Sequence, residues 1–433
     1  MPLPPGPREP AALQTVEWIA RPTAFLRRCQ ARHGEPFTVR VAWADAPMVL
    51  VSDPAEIKRV FTAPADVLRG GASSTVLEPF AGPSSILLLD GAEHLRQRRL
   101  MLPPFHGDAL QEQRPAIAAL ANAELDRWEP GKPLRTHRRM HALALDVILR
   151  AVFGAQERPE LRAAIRRALD MTTSLPRLVA MSLAPHDAGP WRGFRRAVAD
   201  VDALLQRELD REAPAGSILA VLQAARHEDG TPPARAELRD EVVTLLAAGH
   251  ETTAGSLAWA LERLARHPEV LARMRAGEDD YLEAVVKEIL RVRPVLSIAA
   301  RKLAAPYELG GHTLPPGVHV APCIYLAHRR AESWPDPTAF RPERFLDGQP
   351  KPYTYLPFGG GVRRCVGAAF ATLEMKEVLR AVAQRFHLRP ARPRGERMRR
   401  GSVTLMPAHG GVVVPEPLQP MQPRCPSSAA TTA

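Results

Sequence analysis

The residues best suited to chemistry fall in a few short stretches, and the most informative one holds a cysteine. Phe358-Gly359-Gly360-Gly361-Val362-Arg363-Arg364-Cys365-Val366-Gly367 places a thiol just ahead of an amphipathic helical pattern at about 367–386. Three consecutive glycines let the backbone bend and approach a flat ligand closely. The amides and positive dipole end of a helix N-terminus favour a thiolate, and Arg363 and Arg364 add positive potential. A thiolate in that setting can be an axial iron ligand that pushes electron density toward bound oxygen. Taken alone, Cys365 reads as a structural thiol in a turn, because buried Cys is common.

A second stretch, Leu245-Leu246-Ala247-Ala248-Gly249-His250-Glu251-Thr252-Thr253-Ala254-Gly255, lies mid-way along a helical pattern spanning about 234–266. Two glycines and two threonines weaken a helix interior, and a local rule broken in an apolar helix points to function. Ala248 and Thr252 are one turn apart, so the Thr252 hydroxyl can bond back to the Ala248 carbonyl and bend the helix. Gly249 leaves room for a small ligand, and Glu251 with Thr252 supplies a proton-donor chain. The plainer reading is a packing kink. His250-Glu251 opens a His-Glu-x-x-His zinc pattern, but Ala254 stands where the second His must be, and His250 is expected to point away from the site.

Two further pairs sit at helical spacing. His94 and Arg98 are one turn apart in Asp90–Arg99, and Glu288 and Arg291 share a face three residues apart. By themselves both read as solvated surface groups.

The elements that must position these residues follow from periodicity and punctuation. A Pro-rich lead precedes a helix at about 11–32. Residues 37–52 alternate with β-branched side chains and predict a hairpin, Asp53-Pro54 starts a helix, and 70–89 is a Gly/Ser/Pro-rich loop. From about 91 to 290 the pattern is almost wholly helical. Short strands are expected near 298–308, 317–324 and 401–414. The fold class is α+β, mostly helical with a small β-rich part. Residues 1–414 form one domain, and 415–433 have the composition of disorder.

The 433 residues are 45% hydrophobic and 24% charged, which is ordinary globular composition. No run of about 18 apolar residues exists, so no spanning helix or membrane anchor is expected. The opening residues lack the order of a secretory signal. Cys29, Cys323, Cys365 and Cys425 are far apart and form no disulfide framework, which suits the reducing cytoplasm. A net charge of +11 can attract nucleic acid, anionic membrane or an acidic protein. No nucleic-acid motif accompanies it, so an acidic protein partner is the better fit.

Phe358, Gly361, Arg363, Cys365 and Gly367 match the Phe-x-x-Gly-x-Arg-x-Cys-x-Gly signature of the cytochrome P450 superfamily, and the chain resembles that family over residues 2–414. The opening Leu3–Pro7 and the block Pro103–Gly107 resemble a soluble bacterial branch that includes fatty-acid and terpenoid hydroxylases. The resemblance implies the P450 fold and haem b (iron protoporphyrin IX) with Cys365 as the proximal ligand. Phe358 would shield the sulfur. Arg363, His94 and Arg98, and also Arg301, would hold propionates. Ala248, Gly249, Glu251 and Thr252 match the family's Ala-Gly-x-Glu/Asp-Thr motif, which implies an oxygen groove and a proton relay. Glu288, Arg291 and Arg344 would form one buried network.

The implied activity is insertion of one atom of O2 into a hydrophobic small molecule. Electrons would come from a separate ferredoxin or flavodoxin-type donor, docked near Arg96, Arg99, Arg364 and Lys376, and monomer is the family's default state. The substrate walls would come from 70–89, 173–185, Leu245–Thr253, Val295–Ala300 and Val403–Leu405, with Arg69 or Ser297 as polar anchors. The rival readings are a peroxide-driven peroxygenase, whose members usually lack the pair supplied by Glu251 and Thr252, and a haem-binding sensor, for which no signalling domain is present.

Overall fold

A computed structural model describes residues 2–155, 157–184, 189–401 and 403–418. Its framework is the 30-residue helix Arg235–Leu264, which crosses the middle of the molecule. At 1.5 Å per residue it is about 45 Å long. The helix Thr136–Phe153 packs along it, and the helices Asp279–Val292 and Ala368–Arg385 lie against its other sides. Residues 254–261 of the long helix are fully buried, with Ala254, Ala258 and Ala260 allowing close approach.

The β part is small. The predicted hairpin exists, pairing Phe37–Val39 with Met48–Val51 and setting Phe37 opposite Leu50. It extends into a five-stranded sheet through the parallel partner His319–Pro322, then Arg301–Leu303 and Leu68–Arg69. A second sheet sets Val412–Pro417 between Leu134–Arg135 and Phe386–Pro390. A hairpin of Met398–Gly401 with Thr404–Pro407 reaches back to the long helix, where the Trp259 indole donates to the Leu405 carbonyl at 3.0 Å.

Two boundaries differ from expectation. The single helix predicted over 11–32 is two, Ala11–Ala20 and Pro22–His33, broken at Arg21 with φ −139° and ψ 54°. Proline disfavours a helical conformation in the residue before it and suits the first position of a new helix. The last strand runs to Pro417, past the expected limit of 414. Beyond Val413 the Leu134–Arg135 strand has ended, so that edge needs no donor from Pro415, whose carbonyl instead accepts from Gly131 N at 2.8 Å. Residues 419–433, with Cys425 and most of the expected tail, lie outside the described residues.

The Glu288–Arg291 pair is not a surface pair. Both side chains are 0% exposed and are joined by two parallel bonds of 2.7 Å. Glu288 also accepts from Arg341 N at 2.9 Å and from Arg344 Nε at 3.2 Å. Arg291 donates to the carbonyls of His328, Pro337 and Ala339 at 2.8–2.9 Å and lies over Trp334. Removing one member leaves a buried charge unpaired, which costs about 3–5 kcal/mol. Glu288→Ala should therefore lower the unfolding free energy by about that much and reduce the yield of haem-loaded protein. Urea titration with absorbance of the purified protein checks both, and an undiminished haem-loaded yield would contradict the assignment.

Candidate active site

Cys365 lies between a short 3-10 turn, Gly361–Arg363, and the helix that begins at Ala368. Its amide donates to the Phe358 carbonyl at 3.0 Å, closing the loop, while Phe358 packs against the main core. Gly361 has φ +65°, and a Cβ there would stand 2.3 Å from the Phe61 carbonyl oxygen. Gly360 and Gly361 are thus needed for approach to the helix Pro54–Thr62, while Gly359 has open space and is needed for its φ of +69°. Gly367 meets no such crowding; what it supplies is an amide directed at the sulfur.

The thiol is walled by protein and yet exposed, so it floors a recess rather than lying on the outer surface. Burial raises its pKa, against the Gly367 amide, Arg364 and Arg98. The expected bias toward thiolate from the helix terminus and arginines is present, but desolvation outweighs it. A bound metal cation deprotonates a coordinating thiol outright.

Basic groups converge beside this recess from three segments. Arg98, on the helix Gly91–Met101, donates to the Arg364 carbonyl at 2.7 Å. One turn earlier, buried His94 is pushed down to about 4 by desolvation, then by Arg363 and Arg98. Arg301, in the five-stranded sheet, is lowered to about 10 by burial and by Arg363. Arg363 donates to the Leu89 and Ile86 carbonyls. The carboxylate that offsets the group is Asp90, 3.9 Å from Arg363 and already accepting from the Gly71 and Ala72 amides. Like charges gathered in low dielectric call for an anion. The two carboxylates of a haem b fit this donor set, and bidentate pairing suits arginine.

At its middle the long helix turns an open face away from the core. Leu245 and Thr252 are half-buried and Ala248 is exposed, although they lie mid-helix. Their spacing of three and four puts them on one side. Thr252 Oγ1 donates to the Ala248 carbonyl at 2.6 Å, as the spacing predicted. Thr253 repeats the bond to Gly249 at 3.0 Å. Gly249 does not open room for a ligand: a Cβ there would stand 3.0 Å from Ile148 Cδ1, so its missing side chain serves packing on the helix Thr136–Phe153. Glu251 turns away from Thr252 and accepts from the Thr404 hydroxyl at 2.9 Å. Burial pushes its carboxyl up to about 7, with Thr404 opposing.

His250 points away from this face, as expected. It is fully buried, bonds the Leu246 carbonyl through Nδ1, and meets His141 edge-to-face at 4.8 Å. Sequence reasoning missed His141 and His137; their four-residue spacing on the helix Thr136–Phe153 was the available signal.

Other expectations divide. Lys376 cannot serve a docking face: it is buried and paired with Asp279 and Glu283. Arg364 is exposed, and Arg96 and Arg99 are exposed with ion pairs to Glu237 and Glu228. Leu246 and Leu405 are core residues at 2% and 1% exposure rather than pocket walls. Leu77, Phe80, Leu296 and Ile298 are half-buried; Ile86 and Val295 are buried. Arg69 is exposed and Ser297 is buried. Residues 185–188, at the end of the expected 173–185 wall, lie outside the described residues.

The cytochrome P450 family profile matches residues 4–414. The chain belongs to the cytochrome P450 family. Cytochrome P450 135B1 of Mycobacterium tuberculosis is 41% identical over 429 residues, covering 95% of this chain and 90% of that one. Cytochrome P450 135A1 of the same organism is 38% identical over 422 residues, covering 94% of each. Among solved structures, the cyanobacterial CYP120A1 with retinoic acid bound superposes with a TM-score of 0.86 at 24% identity, covering 96% of this chain and 100% of that one. The haem domain of P450DA gives 0.84 at 22%, covering 97% and 98%. These two show the fold. As a P450, the chain is a haem-binding oxidoreductase and an enzyme of monooxygenase type.

The buried histidines set an acid limit on stability. Desolvation is the first cause that holds His250 at about 3 and His137 at about 4; unfolded imidazoles titrate near 6.5. Folded values below unfolded ones mean stability is full above about pH 6.5 and lost as pH falls toward about 4. Thermal melts across that window should show a midpoint that drops with acidification, and less steeply in His250→Leu. An identical slope in the variant would contradict this.

Proposed function

We propose that this P450 ligates haem b through the Cys365 thiolate and oxidises hydrophobic small molecules of fatty-acid or terpenoid type. The observation that carries the reading is the convergence of His94, Arg98, Arg301 and Arg363 beside the recess that Cys365 floors. Arg98, Arg301, Arg363 and His94 would hold the propionates, and Phe358 and Gly367 would shape the sulfur's surroundings. Residues 1–414 act as one domain in this reading.

When bound, the haem supplies reductive activation of O2 and transfer of one oxygen atom to a C–H or C=C bond, with two electrons from outside. The chain's own residues position substrate and protons. Thr252 spends its hydroxyl proton on Ala248, so its oxygen faces the recess as an acceptor. Glu251, held near 7, is matched to proton exchange at neutral pH, and it reaches the open face by turning from Thr404. Leu245, Leu296, Ile298, Ile86 and Phe80 offer apolar wall, normal for small-molecule pockets.

The electron donor in this reading is an acidic ferredoxin or flavodoxin-type protein. Arg96, Arg99 and Arg364 are exposed, as are apolar Leu95 and Val362 at 40% and 57%, and Arg98 of the same helix as Arg96 and Arg99 bonds the Arg364 carbonyl. No helix of the described residues is long and apolar enough to cross a membrane. Cys29, Cys323 and Cys365 are free thiols, and we place the protein in the reducing cytoplasm as a monomer.

Reduced, carbon-monoxide-treated protein should show the red-shifted absorbance of thiolate ligation, and Cys365→Ser should abolish it. Full absorbance in the variant would overturn the assignment. Reduction by an acidic ferredoxin should slow several-fold between low salt and about 0.5 M, where screening shortens the Debye length to a few Å. Rates unchanged by salt would remove the charge-guided docking.

A further inference from the structure

The segment Ser84–Leu89 is gripped from two directions. From the long helix, Asp240 accepts the Ser84 amide at 2.8 Å, Thr244 and Ser85 share a hydroxyl bond of 2.7 Å, and Glu241 Oε1 accepts the Ile86 amide at 2.7 Å. From the cysteine loop, Arg363 donates to the Ile86 carbonyl at 3.2 Å and to the Leu89 carbonyl at 3.1 Å. Ile86 therefore has its amide held by one element and its carbonyl by another. The far end of this loop has its own anchor, since Ser73 bonds His319 Nδ1 at 3.0 Å and His319 Nε2 bonds Asp45 at 2.7 Å. That order of groups resembles a hydrolase triad, but the Ser73 and Ser74 amides are spent on Gly70 and Gly71, leaving no oxyanion donors there.

Glu241 is the costly member of the grip. It is 1% exposed, and its carboxyl has the Ile86 amide and the Gln97 side chain as its hydrogen-bonding neighbours. Burial pushes the carboxyl up to about 8; the Ile86 amide and Gln97 oppose this, while Asp240 and Glu237 reinforce it. Near neutral pH it is chiefly a neutral acid. Burying a carboxyl is unfavourable, and Asp240 and Thr244 already fasten the segment to the helix. What Glu241 alone adds is the setting of the peptide that Arg363 holds from the other side.

We propose that Glu241 is a positioning residue: by fixing the Ile86 peptide between the long helix and Arg363, it sets both the Ile86 side chain at the substrate wall and the Arg363 guanidinium beside the cysteine loop. The inference rests on the recess being the haem and substrate site. If the unaltered protein lacks the thiolate absorbance, that reading fails first and separately.

The test is hydrogen–deuterium exchange of haem-loaded protein, together with absorbance titration by 4-phenylimidazole, for wild type, Glu241→Gln and Glu241→Leu. Glutamine keeps the acceptor and mimics the neutral acid, so it should match wild type in both measurements. Leucine strands the Ile86 amide. Exchange in peptides covering 82–89 should then rise about tenfold or more, the scale of one lost buried hydrogen bond, with the helix Asp279–Val292 unchanged. The 4-phenylimidazole dissociation constant should shift by about tenfold with leucine and by less than about twofold with glutamine, for the same lost bond. Unchanged exchange in the leucine variant, equal loosening with glutamine, or loosening spread over the whole chain would overturn the proposal. Should Glu241→Leu fail to fold, Glu241→Asp, one methylene shorter, carries the same outcomes.

Discussion

The buried Glu288–Arg291 pair is the interaction on which the cysteine-loop side of this P450 depends. Its desolvation is unfavourable, and it is offset because every direction is used: a bidentate contact between the two, Arg344 and the Arg341 amide on the carboxylate, and three carbonyls on the guanidinium. Two of those carbonyls, Pro337 and Ala339, belong to irregular backbone with no sheet or helix to hold it. The pair thus gives a long loop what secondary structure would otherwise provide. From there the order passes to the cysteine through His328. Its Nε2 accepts the Leu356 amide at 2.7 Å, which fixes the tautomer and leaves Nδ1 to donate to the Arg291 carbonyl. Leu356 lies two residues before Phe358, whose carbonyl receives the Cys365 amide. A charge pair far along the chain therefore sets the floor of the recess.

The other side of the recess is held by the same logic with different groups. The loop leading to the His94 helix has little regular structure, and its amides and carbonyls are taken by side chains: Asp90 at Gly71 and Ala72, Asp240 at Ser84, Glu241 at Ile86, Arg363 at Ile86 and Leu89. Buried backbone groups must be paired. Where no ladder exists, carboxyl and arginine side chains from other segments do the pairing, and the loop acquires a defined position without becoming a strand.

What the sequence made legible was whatever depends on neighbours in the chain. The cysteine loop, the Thr252–Ala248 bond and the hairpin at 37–51 are local and were readable from spacing. The resemblance placed Glu288, Arg291 and Arg344 together, and the structure joins them. The break at Arg21 was readable too, from Pro22, but helical periodicity on both sides masked it. The misreadings concern which way a residue faces. Gly249 sits next to the open face but meets Ile148; Leu246 follows Leu245 but turns into the core; Lys376 lies on an amphipathic helix but is claimed by Asp279. Facing is decided by the partner element, and a single strand of text does not contain the partner. The grip on Ser84–Leu89 was invisible for the same reason, since more than 150 residues separate Ile86 from Glu241.

The long helix divides the interior into two environments, and its central residues are sorted between them by one-residue steps. On one side His250 packs edge-to-face on half-buried His141, and burial lowers the pKa of both imidazoles. On the other, Ala248 and Thr252 face open space. Glu251 falls between, bonded to a hydroxyl on the hairpin rather than to either neighbour. Burial disfavours its ionised form and the Thr404 hydroxyl partly offsets this, which leaves the carboxyl near neutrality. That balance requires the hairpin to stay docked. The Trp259–Leu405 bond and the Leu405 amide on the Val295 carbonyl at 2.7 Å supply the docking. The strand Thr404–Pro407, remote in sequence from the helix, thereby helps set the titration of Glu251.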